Sequence, residues 1–142
     1  MNNIEKAKEI LISGEYTCVL HNGDETYSSN LKGVKPLLDF LNSEKDFSGF
    51  SAADKVVGAG AAHLYVLLQV ENVWAGIISQ SAKEILEENR IQFSFEKQVP
   101  FIINRTGDGV CPIEQAVKGI HDSQDALTVI EKTLNRLNQK ST

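Results

Sequence analysis

Ser51-Ala52-Ala53-Asp54-Lys55-Val56-Val57-Gly58-Ala59-Gly60-Ala61-Ala62-His63-Leu64 is the stretch on which the fold turns. Ser51 followed three residues later by Asp54 fits a helix capping box. The pattern behind it predicts a long apolar helix to about Leu68, interrupted by His63. Gly58, Ala59, Gly60, Ala61 and Ala62 leave almost no side-chain bulk for more than a turn. A glycine inside a helix costs roughly 1 kcal/mol. Two of them together point to close approach by a strand, a second helix or a ligand. Apolar residues lie nearly all round, as expected of a central buried helix.

The flanking sequence supplies a frame for that helix. Ile4, Ala7, Ile10 and Leu11 recur at helical spacing until Gly14. A strand is expected over Tyr16 to Leu20 and its return over Glu25 to Ser29, joined at Asn22-Gly23, a strong hairpin signal. Pro36 opens a short amphipathic helix through Leu41. Further along, Asn72 to Ser79 reads as a strand, and Ser81 to Glu84 as a second capping box with a helix to about Asn89. Ile91 to Glu96 alternates as a half-buried strand does, and Phe101 to Asn104 makes a last short one after Pro100. Helices are expected from Pro112 to Lys118 and from Asp122 through Leu137, with a polar tail over residues 138–142. The Trp74 and Phe93 strands should run parallel, linked right-handedly by the helix between them. The expectation is one α/β domain over residues 1–142, a three-layer α/β/α fold with a mixed sheet.

Composition narrows the function classes. Lys and Arg total 14 against 19 Asp and Glu, a formal charge of -5, and the basic residues are scattered. A surface that tracks phosphates along nucleic acid needs a basic face, so nucleic-acid binding is disfavoured. No apolar run reaches the ~18 residues of a membrane span. Cys18 and Cys111 form no Cys-x-x-Cys pair, and with no secretory signal they read as reduced thiols in the cytoplasm.

Asn104-Arg105-Thr106-Gly107-Asp108-Gly109-Val110-Cys111-Pro112-Ile113-Glu114 carries the most chemistry. A glycine-bracketed turn delivers a cysteine to the start of a helix, where Pro112 suits the first position. Gly107 and Gly109 allow backbone amides to face an anion, and the planar fork of Arg105 suits a phosphate or carboxylate. A helix start favours a thiolate or an anion.

Three segments carry a family resemblance: Gly33-Val34-Lys35-Pro36-Leu37, Ala53-Asp54-Lys55-Val56-Val57-Gly58, and Ile103-Asn104-Arg105-Thr106-Gly107-Asp108-Gly109-Val110-Cys111-Pro112. Together they resemble an uncharacterised prokaryotic domain-of-unknown-function family with a cytidine deaminase-like fold. Working deaminases of that fold place His-Ala-Glu at the start of the buried helix and Pro-Cys-x-x-Cys at the start of the next, giving three zinc ligands and a proton-shuttling carboxylate. By that resemblance the first site reads Ala52-Ala53-Asp54 and the second Gln80-Ser81-Ala82-Lys83-Glu84. Ala52 cannot bind zinc, and Ser81 and Glu84 stand where thiolates would. Only Asp54 keeps a carboxylate. No metal and no cofactor are expected, and zinc-dependent deamination is disfavoured. Members of such a fold self-associate, so the resemblance implies a homo-oligomer.

Each candidate has a plainer role beside the chemical one. Cys111 is a nucleophile or a small packed residue, and Glu114 a proton carrier or the cap of its own helix. Asp54 is a second proton carrier or a stabiliser of a helix end. Lys55, Ser81, Asn104, Arg105, Gly107 and Gly109 would line a ligand site, or be surface and turn. His63 reads as a hydrogen-bonded core histidine. The function expected is a cytoplasmic protein holding a small anionic or nucleotide-like molecule, with non-zinc chemistry at Cys111 left open. The alternative is a non-catalytic module that senses a ligand or assembles with itself.

Overall fold

A computed structural model describes residues 2–103, 107 and 109–140, the backbone alone at 139 and 140. In chain order the elements are α1 (Asn3–Ser13), β1 (Cys18–His21), β2 (Thr26–Ser29), α2 (Lys35–Asn42), β3 (Ser51–Val57), α3 (Ala59–Leu68), β4 (Asn72–Ser79), α4 (Gln80–Glu88), β5 (Gln92–Val99), α5 (Pro112–Ala116) and α6 (Ser123–Lys140). The sheet order is β2-β1-β3-β4-β5. β1 runs antiparallel to both β2 and β3, whereas β3, β4 and β5 are parallel. This is the expected three-layer α/β fold with a mixed sheet.

The decisive stretch departs from its reading. Ser51 to Asp54 is not a helix cap but the first half of β3, and the helix begins only at Ala59. Alanine and aspartate are poor strand formers, yet here tertiary burial decides. Ala52 faces the large core under α3, and Ala53 faces the smaller one under α1. Their small side chains let helices approach the central strand from both sides. With both faces covered, β3 shows no alternation of polarity to betray a strand.

The glycines find their reason in this register. Gly58 is the N-cap of α3, in extended backbone, so it carries no helix-interior penalty. A Cβ on Gly60 would run into Ile113 Cγ2, so the approach anticipated from sequence is made by α5. Gly76 serves β3 itself, because a Cβ there would stand 2.7 Å from the Lys55 carbonyl oxygen. At this point the strands slip a phase. Ala52 and Val57 share the α3-side core, as do Ala75 and Ile78, although odd spacings should put each pair on opposite faces.

The central buried helix is borne out. All of α3 except Val66 and Leu67 is buried. Tyr65 reaches the sheet, while His63 ties α3 to the start of α6. Its Nε2 donates to the Ile120 carbonyl at 3.1 Å, which fixes the tautomer, so Nδ1 accepts from Ser123 Oγ at 2.9 Å. Among the described residues α1 covers the opposite face, burying Ala7 and Leu11 against Val19, Ala53 and Trp74.

Other differences are local. The cap of α4 is Ser79, whose Oγ accepts from Ala82 N at 3.1 Å, and Ser81 sits exposed as the second residue of the helix. β5 runs to Val99, where Pro100 ends it. The short strand expected at Phe101 is reduced to a single antiparallel bridge, Ile103 to Val110, and Asn104 lies outside the described residues. α6 continues to Lys140, into the stretch read as a polar tail.

Candidate functional site

Parallel pairing puts Val57 beside Ile78, so β3 and β4 end at the same level. Each strand runs directly into a helix, α3 through Gly58 and α4 through Ser79. Two helix starts therefore stand side by side at the C-terminal edge of the sheet, where open α/β sheets gather ligands. The chain leaving β5 crosses back over this edge. Ile102 Cγ1 reaches within 3.0 Å of where a Gly58 Cβ would be, and the Ile102 carbonyl accepts from Cys111 N at 2.8 Å.

That crossing delivers Glu114 to α3. Its Oε2 accepts from Ala59 N at 2.5 Å, so it caps α3 and not α5, its own helix as expected from sequence. The residue is 7% exposed, and its second oxygen, Oε1, is buried with no hydrogen-bond partner among the described residues. Gly58 has to be glycine for this seating, since a Cβ would stand 2.5 Å from Oε2.

Cys111 is a half-buried free thiol at the start of α5. α5 has five residues, too few to align much of a helix dipole. Gly107 is exposed at φ +77°, a left-handed conformation suited to glycine, and Gly109 is half-buried. Asn104 and Arg105, the expected anion clamp, lie outside the described residues.

Asp54 sits elsewhere. It lies on β3, four residues before Gly58, or about 13 Å of extended chain. It therefore does not occupy the helix start onto which the deaminase resemblance carried it. Its Oδ2 accepts from Tyr65 Oη at 2.7 Å, its Oδ1 from Val56 N at 3.2 Å, and Cys18 Sγ lies 3.3 Å from the same tyrosine oxygen. Burial pushes the Asp54 carboxyl up to about 7, against hydrogen bonds that pull it down. Burial, and then the charge of Asp54, push the Cys18 thiol up as well. Lys55 is exposed on the same strand. Among the described residues no hydrogen bond or ion pair joins Asp54, Lys55 or Ser81 to Cys111 or Glu114.

Tyr65, Gly58 and Ile102 carry roles that sequence reading missed. Only the two bulk-free positions of α3 hinted at them. Among the described residues no three His, Cys, Asp or Glu side chains gather as a metal set, and no helix is long and apolar enough to cross a membrane.

Known proteins place the chain as follows. No curated protein matches it significantly. A crystal structure of a DUF1893 family protein from Thermotoga maritima is similar with a TM-score of 0.82 at 24% identity, over 94% of this chain and 89% of that one. That likeness is one of fold. A dCMP deaminase from the cyanophage S-TIM5 gives a TM-score of 0.45 at 9% identity, over 66% of this chain and 93% of that one. At that level the similarity carries neither fold nor chemistry over to this chain. Residues 6–134 match the domain of unknown function DUF1893, and the protein belongs to that family.

Proposed function

We propose that the C-terminal edge of β3 and β4 holds a small anionic, nucleotide-like molecule. The observation that supports this most is the convergence of the α3 and α4 starts beside Ile102, whose carbonyl accepts from Cys111 N. Backbone amides at helix starts and in a glycine turn are suited to phosphate. Ser81, Gly107, Gly109 and, beyond the described residues, Asn104 and Arg105 would serve the anionic end. A cytoplasmic, self-associating protein remains part of this reading.

Binding is favoured over turnover by how the two acids are employed. Asp54 is bonded into the core, and Glu114 caps α3. Neither is free to act first as a proton carrier for Cys111. Thermal-shift screening of nucleoside monophosphates, sugar phosphates and inorganic phosphate tests the reading. A rise in Tm with a phosphorylated probe, reduced in Arg105→Ala, is expected; no shift with any probe removes it. Iodoacetamide labelling across pH tests thiol chemistry. A Cys111 whose rate follows pH as free cysteine does counts against it.

A further inference from the structure

We propose that a second copy of this chain docks on the α1 side of the sheet across a two-fold axis, so that α1 of each copy lies over the β4 and β5 surface that the other leaves bare. This rests on the self-association included in the reading above and gives it a surface. Five strands ~4.8 Å apart make a sheet roughly 20–25 Å wide, and one helix spans roughly 10–12 Å of it. α1 sits over β1 and β3, and its Lys8 Nζ lies 4.8 Å from the centre of the Trp74 ring on β4. Beyond Trp74 this face is uncovered among the described residues. Val57 and Ile78 belong to the core under α3, so alternation turns their neighbours Val56 and Ile77 to the α1 side. These two form one row with Lys97 of β5. Val56 is 42% exposed, Ile77 half-buried and Lys97 exposed.

The outer surface of α1 is shaped to match. Helical spacing puts Lys8 and Ile12 in one ridge and Glu5, Glu9 and Ser13 in the next. A groove of about 550 Å³ runs between the ridges, lined by these residues, and Ile12 is 61% exposed. Such a groove is where the ridge of another helix seats. α1 begins against Gly23, and the chain that follows it meets Lys55, so α1 runs parallel to β3. Ile12 therefore stands one turn beyond Lys8, toward Val56 and Ile77. A two-fold contact has to complement itself. Here the acidic ridge of Glu5 and Glu9 lies beside Lys8 and Lys97, around an apolar centre of Ile12, Val56 and Ile77. After half a turn each acidic ridge faces the other copy's lysines, and the apolar centres meet. Nucleic acid or an anionic membrane would meet Glu5 and Glu9, so the charges favour a second copy over either.

Sedimentation equilibrium and native mass spectrometry of the full chain at high micromolar concentration and low salt read this out. The wild type should be a dimer, twice the 15.7 kDa of one chain. Ile12→Glu with Val56→Glu should be a monomer with unchanged circular dichroism, because both side chains are exposed in the fold. Glu5→Lys with Glu9→Lys, and separately Lys8→Glu with Lys97→Glu, set like charges against each other in a dimer of either variant alone. Each should be monomeric by itself, and the two mixed should form a dimer with one chain of each. A dimer that survives Ile12→Glu with Val56→Glu uses another face and overturns the inference, as do charge variants that dimerise alone or fail to combine. In those cases self-association stands. A monomeric wild type overturns the inference and self-association together. The ligand reading is untouched by all of these outcomes.

Discussion

Asp54, midway along β3, and Glu114, at the start of α3, are both buried acids, and they are finished differently. Asp54 has both oxygens engaged, by Tyr65 and by Val56, within the core between β1, β3 and α3. Glu114 has one oxygen on α3 and the other without a hydrogen-bond partner among the described residues, at the edge where strands give way to helices. A fully satisfied acid is explained by the fold that surrounds it. Exposure does not separate the two, since both are more than nine-tenths buried; their hydrogen bonds do.

The largest expected effect lies on the Asp54 side. Its carboxyl is raised from an ordinary 3.8 to about 7, so between those values the native state holds a proton that the unfolded chain has lost. Stability therefore falls as pH rises through this window, by about 4 kcal/mol at most. His63 has the opposite slope. Burial lowers its pKa from 6.5, so its contribution is lost as pH falls below that value. Asp54→Asn isolates the first term: urea unfolding at pH 5 and pH 8 should show the acid-to-neutral loss much reduced, and the variant more stable than wild type at pH 8. An unchanged slope would mean Asp54 is charged in the core at all these pH values.

On the Glu114 side, Gly58→Val should cost about 1–3 kcal/mol, because the added carbons collide with the carboxylate and with Ile102. Glu114→Ala should cost about 1 kcal/mol, the usual value of a lost cap, and Glu114→Gln close to nothing. If Glu114→Ala were as stable as wild type, the cap would have no energetic role. Smallest is the chemical test of the seam between β1 and α3. In the native protein iodoacetamide should modify Cys111 and leave Cys18, which is 1% exposed. Mass spectrometry showing both modified before unfolding would mean that seam opens.

Much of the fold is legible in the sequence because its signals are local. The hairpin expected at Asn22-Gly23 is present, though its turn lies one residue on: Asn22 N donates to the Glu25 carbonyl, which leaves Gly23, at φ +102°, and Asp24 as the central pair, and the Trp74 and Phe93 strands pair in parallel. β3 is not legible for a physical reason: a strand buried on both faces loses its alternation, and Ser51 to Asp54 imitates a cap. Val56-Val57 before Gly58 was the available clue, two β-branched residues and a break. The site is harder. Cys111 and Glu114 lie on one recognisable stretch at the start of α5, but Glu114 meets Ala59 across 55 positions of sequence, and no local pattern encodes that. Asp54 was singled out for a helix start that lies further along the chain. Tyr65 and Cys18, its actual neighbours, gave no signal at all.

The most direct measurement follows the Gly58 and Ala59 amide resonances in ¹⁵N-labelled protein during titration with AMP. Both should shift and saturate with the binding curve. Saturable AMP binding that leaves these two amides still, while resonances elsewhere move, would contradict a ligand site at the α3 start.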